Sequence, residues 1–91
     1  MNYYRILSNN RISINMLRNI QKDIYKLIPM RSVEIEERKI LKGGYEYTVL
    51  CSRPIRFSYL LKLIDGYQLD IFSSNVLPHL PKYFKYYDNN I

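Results

Sequence analysis

Hydrophobic periodicity along this chain switches from two to 3.6 residues and back in a fixed order. The order is strand, helix, strand, Gly-Gly turn, strand, helix, strand, and it occupies residues 2–74 almost without remainder. Two helices of amphipathic spacing and a glycine hairpin between the second and third strands fix the class. The sequence predicts an α+β, ferredoxin-like βαββαβ sandwich: a four-stranded antiparallel sheet with two helices on one face. Residues 1–74 form this predicted domain, and residues 75–91 a short aromatic and basic docking tail.

The first strand is expected over Tyr3 to Ser8, with Tyr4 and Ile6 on one face and Tyr3, Arg5 and Leu7 on the other. Ser8-Asn9-Asn10 is a turn cluster, and Asn10 or Ser13 can cap the helix that follows. From Ile14 to Ile28 the apolar positions Leu17, Ile20, Ile24, Leu27 and Ile28 recur at helical spacing, while Arg18, Lys22 and Lys26 line another face. Pro29 stops this helix by its missing N–H and its clash with the preceding turn. A second strand starts near Ser32 and alternates Val33 and Ile35 against Glu34 and Glu36. Glu37, Arg38 and Lys39 break the alternation, which predicts a bulge or a projecting strand tip.

Lys42-Gly43-Gly44 is a hairpin turn, since glycine accepts the positive φ such turns require. The third strand sets Tyr45, Tyr47, Val49 and Cys51 against Glu46, Thr48, Leu50 and Ser52. Pro54 suits the first turn of the second helix, whose expected buried stripe is Phe57, Leu60, Leu61 and Ile64, with Gly66 at its C-cap. The fourth strand is expected over Tyr67 to Phe72. Beyond it, Leu80, Tyr83, Phe84 and Tyr87 fit one short amphipathic helix that docks on the domain or on a partner.

Chemistry-bearing residues are few. His79 is the lone histidine and lies between Pro78 and Pro81. Cys51 falls on the apolar face of a strand, where a buried, inert thiol is expected, and a single cysteine rules out an intrachain disulfide. Glu34, Glu36 and Glu37 lack a further ligand in sequence, and no Walker or Rossmann pattern is present. The expectation is therefore a non-enzyme with no cofactor, no metal and no small-molecule substrate. No apolar run is long enough for a membrane span, and the N-terminus reads as a strand rather than a targeting peptide.

Charge points to a partner. Fourteen Lys and Arg against eight Asp and Glu give a net charge of +6, so phosphate neutralisation follows directly. Candidate RNA contacts are Arg31, Arg38, Lys39 and Lys42 around the hairpin and Arg53 and Arg56 at the start of the second helix. Lys82 and Lys85 complete the set in the tail, interleaved with Tyr83, Phe84, Tyr86 and Tyr87. The run Lys42 to Val49 echoes the RNA-recognition-motif signature, in which third-strand aromatics stack on bases, although Tyr45 and Tyr47 share their face with Val49 and Cys51. Phe, Tyr, Met, Ile, Asn and Lys supply 43 residues and Ala none, a bias toward AT-rich codons that suggests an organelle, a virus or a low-GC microbe.

Tyr45-Glu46 at the start of the third strand resembles the small-subunit ribosomal protein family S-ten. Leu60-Leu61-Lys62-Leu63 followed by Gly66-Tyr67-Gln68-Leu69-Asp70-Ile71 is also similar to that family. The likeness covers residues 3–72. It implies a structural rRNA-binding role in the head of the small ribosomal subunit, beside neighbouring ribosomal proteins. The compartment implied is the mitochondrial matrix if the chain is organelle-encoded, and the cytoplasm otherwise. The family's long hairpin extension is replaced here by Lys42-Gly43-Gly44. A small virus- or plasmid-encoded protein-binding module is the alternative reading, and a free single-stranded-RNA binder using Tyr45 and Tyr47 is a third.

Overall fold

A computed structural model describes residues 2–84. Its elements are β1 (Asn2–Ser8), α1 (Ile14–Leu27), β2 (Val33–Lys39), β3 (Tyr45–Cys51), α2 (Phe57–Asp65) and β4 (Ile71–Leu77). The strands form one antiparallel sheet in the order β2-β3-β1-β4. This is the ferredoxin-like βαββαβ arrangement the sequence predicts.

The main core lies between the sheet and the helices. Tyr4 and Ile6 of β1, Val33 of β2, and Tyr47, Val49 and Cys51 of β3 meet Ile20 and Ile24 of α1 and Leu60 and Ile64 of α2. Ser13 caps α1, its Oγ accepting from the Met16 N–H at 3.2 Å. In α2 it is Leu63, with Phe57, that packs against the core beside Leu60 and Ile64; Leu61 is only half-buried. The helix starts three residues after Pro54, because Ile55 is held first. The Tyr4 hydroxyl donates to the Ile55 carbonyl at 2.7 Å and accepts from its N–H at 2.9 Å.

Gly44 is required at the hairpin. Its φ is +93°, and a Cβ there would stand 2.9 Å from the Ser8 carbonyl oxygen. Gly66 is the C-cap of α2 as expected, but right-handed (φ −63°); the positive φ falls on Gln68 (54°).

Three expectations are corrected. Of the two readings of the break in β2, the bulge is absent: β2 and β3 stay in register from Val33↔Cys51 to Lys39↔Tyr45, and Arg38 and Lys39 at the strand's tip are exposed. Glu37 occupies an inward position because the buried Tyr47 hydroxyl donates to it at 2.9 Å, and Arg38 turns to the other face to meet Glu46. The irregularity lies instead between β1 and β4, where Leu7↔Ser73 is followed by Ser8↔Ile71 and Phe72 is the extra residue.

The fourth strand is Ile71–Leu77, not Tyr67 to Phe72. Tyr67 and Leu69 do pack against the core, which mimics strand alternation. Their backbone, however, continues the end of α2 as a turn, with Tyr67 N–H bonded to the Ile64 carbonyl. Ser73, Ser74 and Asn75 carry little strand propensity, and pairing with β1 imposes the conformation. The division expected after residue 74 thus falls inside a strand.

The tail is not helical over its described part. Residues 78–84 fold back on the second face of the sheet, Phe84 is buried, and its N–H bonds to the Pro81 carbonyl in a turn. Glu46, Thr48 and Leu50 on that face are buried in consequence, so β3 is covered on both sides. Lys85, Tyr86, Tyr87 and the predicted helix beyond Phe84 lie outside the described residues.

Candidate nucleic-acid interface

The basic residues separate into those consumed by carboxylates and those left for a partner. Under the tail, Glu46 gathers three partners. Arg38 contacts Oε1 through Nη2 at 2.8 Å and Nε at 3.1 Å, the Tyr83 hydroxyl donates to Oε2 at 2.6 Å, and Arg5 Nε lies 2.7 Å from Oε2. The Arg5 N–H does not point along that last line, so the contact is an ion pair without an aligned hydrogen bond. The Arg38 guanidinium also stands over the Tyr83 ring, 4.2 Å from its centroid. Burial acts to raise the Glu46 pKa, but the hydrogen bonds from Tyr83 and Arg38 and the Arg5 charge outweigh it and hold it below the usual range.

A second cluster stands at the hairpin end on the helix side. Glu37 accepts from Tyr47 and pairs with Arg11 at 3.2 Å, while the Tyr47 oxygen accepts from the Ile12 N–H at 2.7 Å. Burial first, with Glu37 behind it, pushes the Tyr47 hydroxyl up to about 12. Arg5, Arg11 and Arg38 are therefore neutralised, and Arg38 is a latch for the tail rather than a free contact. Tyr47 is fully buried on the helix side, which leaves no ring face on which a base can stack.

The remaining candidates occupy opposite ends of the sheet. Lys39 and Lys42 are exposed at the β2–β3 turn, and Lys82 is exposed over the second face near Tyr3 and His79. Arg31, Arg53 and Arg56 meet at the other end. Ser32 and Ser52 are tied through the Ser52 N–H to the Ser32 carbonyl (3.0 Å) and the Ser32 N–H to the Ser52 Oγ (2.9 Å). That brings Arg31 and Arg53 side by side. Arg53 Nη1 reaches the Pro29 carbonyl at 3.2 Å, tying the end of α1 to the start of the β3–α2 loop.

Sequence reasoning missed the groove that adjoins this end. α1 and α2 leave an open trough of about 640 Å³ lined by Asp23, Lys26 and Leu27 on one side and Tyr59, Lys62 and Leu63 on the other. Arg56 stands 5.7 Å from the centroid of the Tyr59 ring, which is about half exposed. Asp23, the one carboxylate in the trough, accepts a hydrogen bond from the Tyr67 hydroxyl. Lys26 was visible in sequence as part of a basic helix face, and Lys62 as a lone charge in an apolar run. Their convergence required the helix pairing.

The lone cysteine is unreactive by placement: Cys51 has no exposed surface, and burial pushes its thiol up to about 12. Among the described residues no group of three or more His, Cys, Asp or Glu side chains comes together, and no helix is long and apolar enough to cross a membrane. No family model, no curated protein and no solved structure matches this chain.

Proposed function

We propose that this domain is a non-catalytic RNA-binding component of a ribonucleoprotein, holding phosphates at the end of the fold where α1 finishes and α2 begins. The observation that carries the reading is convergence. Arg31, Arg53 and Arg56 stand at this end, and Lys26 and Lys62 face one another across the groove that adjoins it, beside the half-exposed Tyr59. None of the five has an acidic partner among the described residues. Free cations beside an aromatic ring suit a phosphate backbone with an adjoining base. Lys39 and Lys42 at the opposite end supply a second point of contact. The S-ten resemblance makes the small ribosomal subunit, alongside ribosomal RNA and neighbouring proteins, the specific setting.

Fluorescence anisotropy of the full chain with a labelled RNA stem-loop, titrated across a salt series, tests the reading. The expected dependence of log K on log salt is steep. Arg31→Gln with Arg53→Gln flattens it by about one to two counterions, at the ~0.7–0.9 released per phosphate contact. An unchanged slope in that double variant, or no binding at low salt, would overturn it. Co-sedimentation with the small subunit in native extract at high salt tests the ribosomal setting separately.

A further inference from the structure

Between α1 and α2 the trough combines three features that a phosphate backbone alone does not need. The first is an open aromatic face: Tyr59 is 48% exposed, with the 42% exposed Leu27 on the opposite wall and Leu63 one turn further along α2. The second is a single acceptor. The Tyr67 hydroxyl donates to Oδ2 of Asp23, and Oδ1 of this lone carboxylate takes no hydrogen bond among the described residues. The third is a basic line that leads in. Arg18, Lys22 and Lys26 are exposed on α1 at intervals of four residues, and none has an acidic partner among the described residues. Each such step along a helix is about 6 Å, which matches the step between successive phosphates of one nucleic-acid strand. The line runs toward the end of α1, beyond which Arg31, Arg53 and Arg56 stand.

We infer that the trough seats one unpaired guanine of a single-stranded RNA segment. The inference rests on the phosphate-binding reading above and names what that site recognises. The ring face of Tyr59 is open only to a base that has left its own duplex. An ionised carboxylate can only accept hydrogen bonds, so Asp23 selects the base whose pairing edge sets donors side by side. Guanine alone does so, with N1–H next to its 2-amino group. Adenine and cytosine place a ring acceptor beside their amino group, and uracil places N3–H between two carbonyl oxygens. In each of these an acceptor faces the carboxylate and repels it. Lys26 and Lys62, on the two walls, supply the charge for the flanking phosphates. The trough's volume of about 640 Å³ lies within the ~300–1,000 Å³ of sites that take one small molecule.

Fluorescence anisotropy of the full chain with labelled uridine strands of about eight nucleotides decides it. The strands are plain or carry one central guanosine, adenosine or cytidine. The guanosine strand is expected to bind about tenfold tighter than the other three, the discrimination of one good bidentate base contact. Asp23→Asn removes that preference and leaves the plain strand bound at least as well, since a negative charge beside the phosphates is lost. Tyr59→Ala weakens all four strands about tenfold. Tyr67→Phe keeps the carboxylate, and with it the preference. Thermal melts report that each variant keeps the fold. Equal binding of the four strands, a preference for another base, or a guanosine preference that survives Asp23→Asn overturns the inference. In those cases a salt slope still flattened by Arg31→Gln with Arg53→Gln leaves the phosphate reading standing. No binding to any strand or to the stem-loop at low salt overturns both.

Discussion

Glu46→Gln isolates the charge that fastens the tail to the sheet. The carboxylate is nearly inaccessible (4% of its side chain), whereas its partners Arg5 and Arg38 are 35% and 53% exposed. A fully buried pair losing one member costs about 3–5 kcal/mol. Solvent screening of the two half-exposed guanidiniums discounts that here, and the amide keeps part of the hydrogen bonding with Tyr83. The expected loss at neutral pH is about 2 kcal/mol, or ~8–16 °C in Tm for a domain of this size. The sign with pH follows from the lowered pKa of Glu46. The native carboxylate holds its proton less readily than the unfolded one, so its stabilisation is complete above the unfolded value near 4.5. It is lost as pH falls through the lower, folded value. Circular-dichroism melts of both proteins should therefore diverge at about pH 7 and draw together as the pH is lowered through the folded value. Equal melting at neutral pH, or a gap that persists in acid, would refute the electrostatic account.

Other substitutions probe separate supports. Phe84→Ala empties a fully buried site on the second face, and urea denaturation should register a loss of about 3–4 kcal/mol. Tyr47→Phe strips the acceptor from the buried Ile12 N–H and the donor from Glu37. Its expected cost is about 1–3 kcal/mol, measured the same way. Cys51, with its thiol pushed up to about 12, should react with a thiol probe only at the rate of global opening. Labelling that outpaces unfolding would contradict its burial.

Most of the fold was legible because local physics and tertiary need agree over β1, α1, the Gly43-Gly44 hairpin and β3. The failures have a common cause. Glu37 sits at an inward position because a buried tyrosine hydroxyl wants an acceptor, a need written 10 residues away. β4 carries Ser73, Ser74 and Asn75 and becomes a strand only because β1 presents an edge about 70 residues earlier in the chain. The same holds for the basic site. Arg31, Arg53 and Arg56 stood out by charge, but nothing local revealed that Arg38 would be spent on Glu46. Nor did it reveal that Lys26 and Lys62 would face one another across a groove.

The course of folding follows from the position of β1. This strand lies between β3 and β4, and Tyr3 pairs with Leu50 on one side and Leu77 on the other. Neither partner is near in sequence, so closing the sheet means closing loops of about 47 and 74 residues before the reward arrives. The helices and the β2–β3 hairpin can form early, yet they have no finished surface to rest on until β4 is in place. A chain emerging from its own synthesis would thus keep Glu46, Thr48 and Leu50 open to water until residue 84 had been added, and would complete its structure in one late, cooperative step.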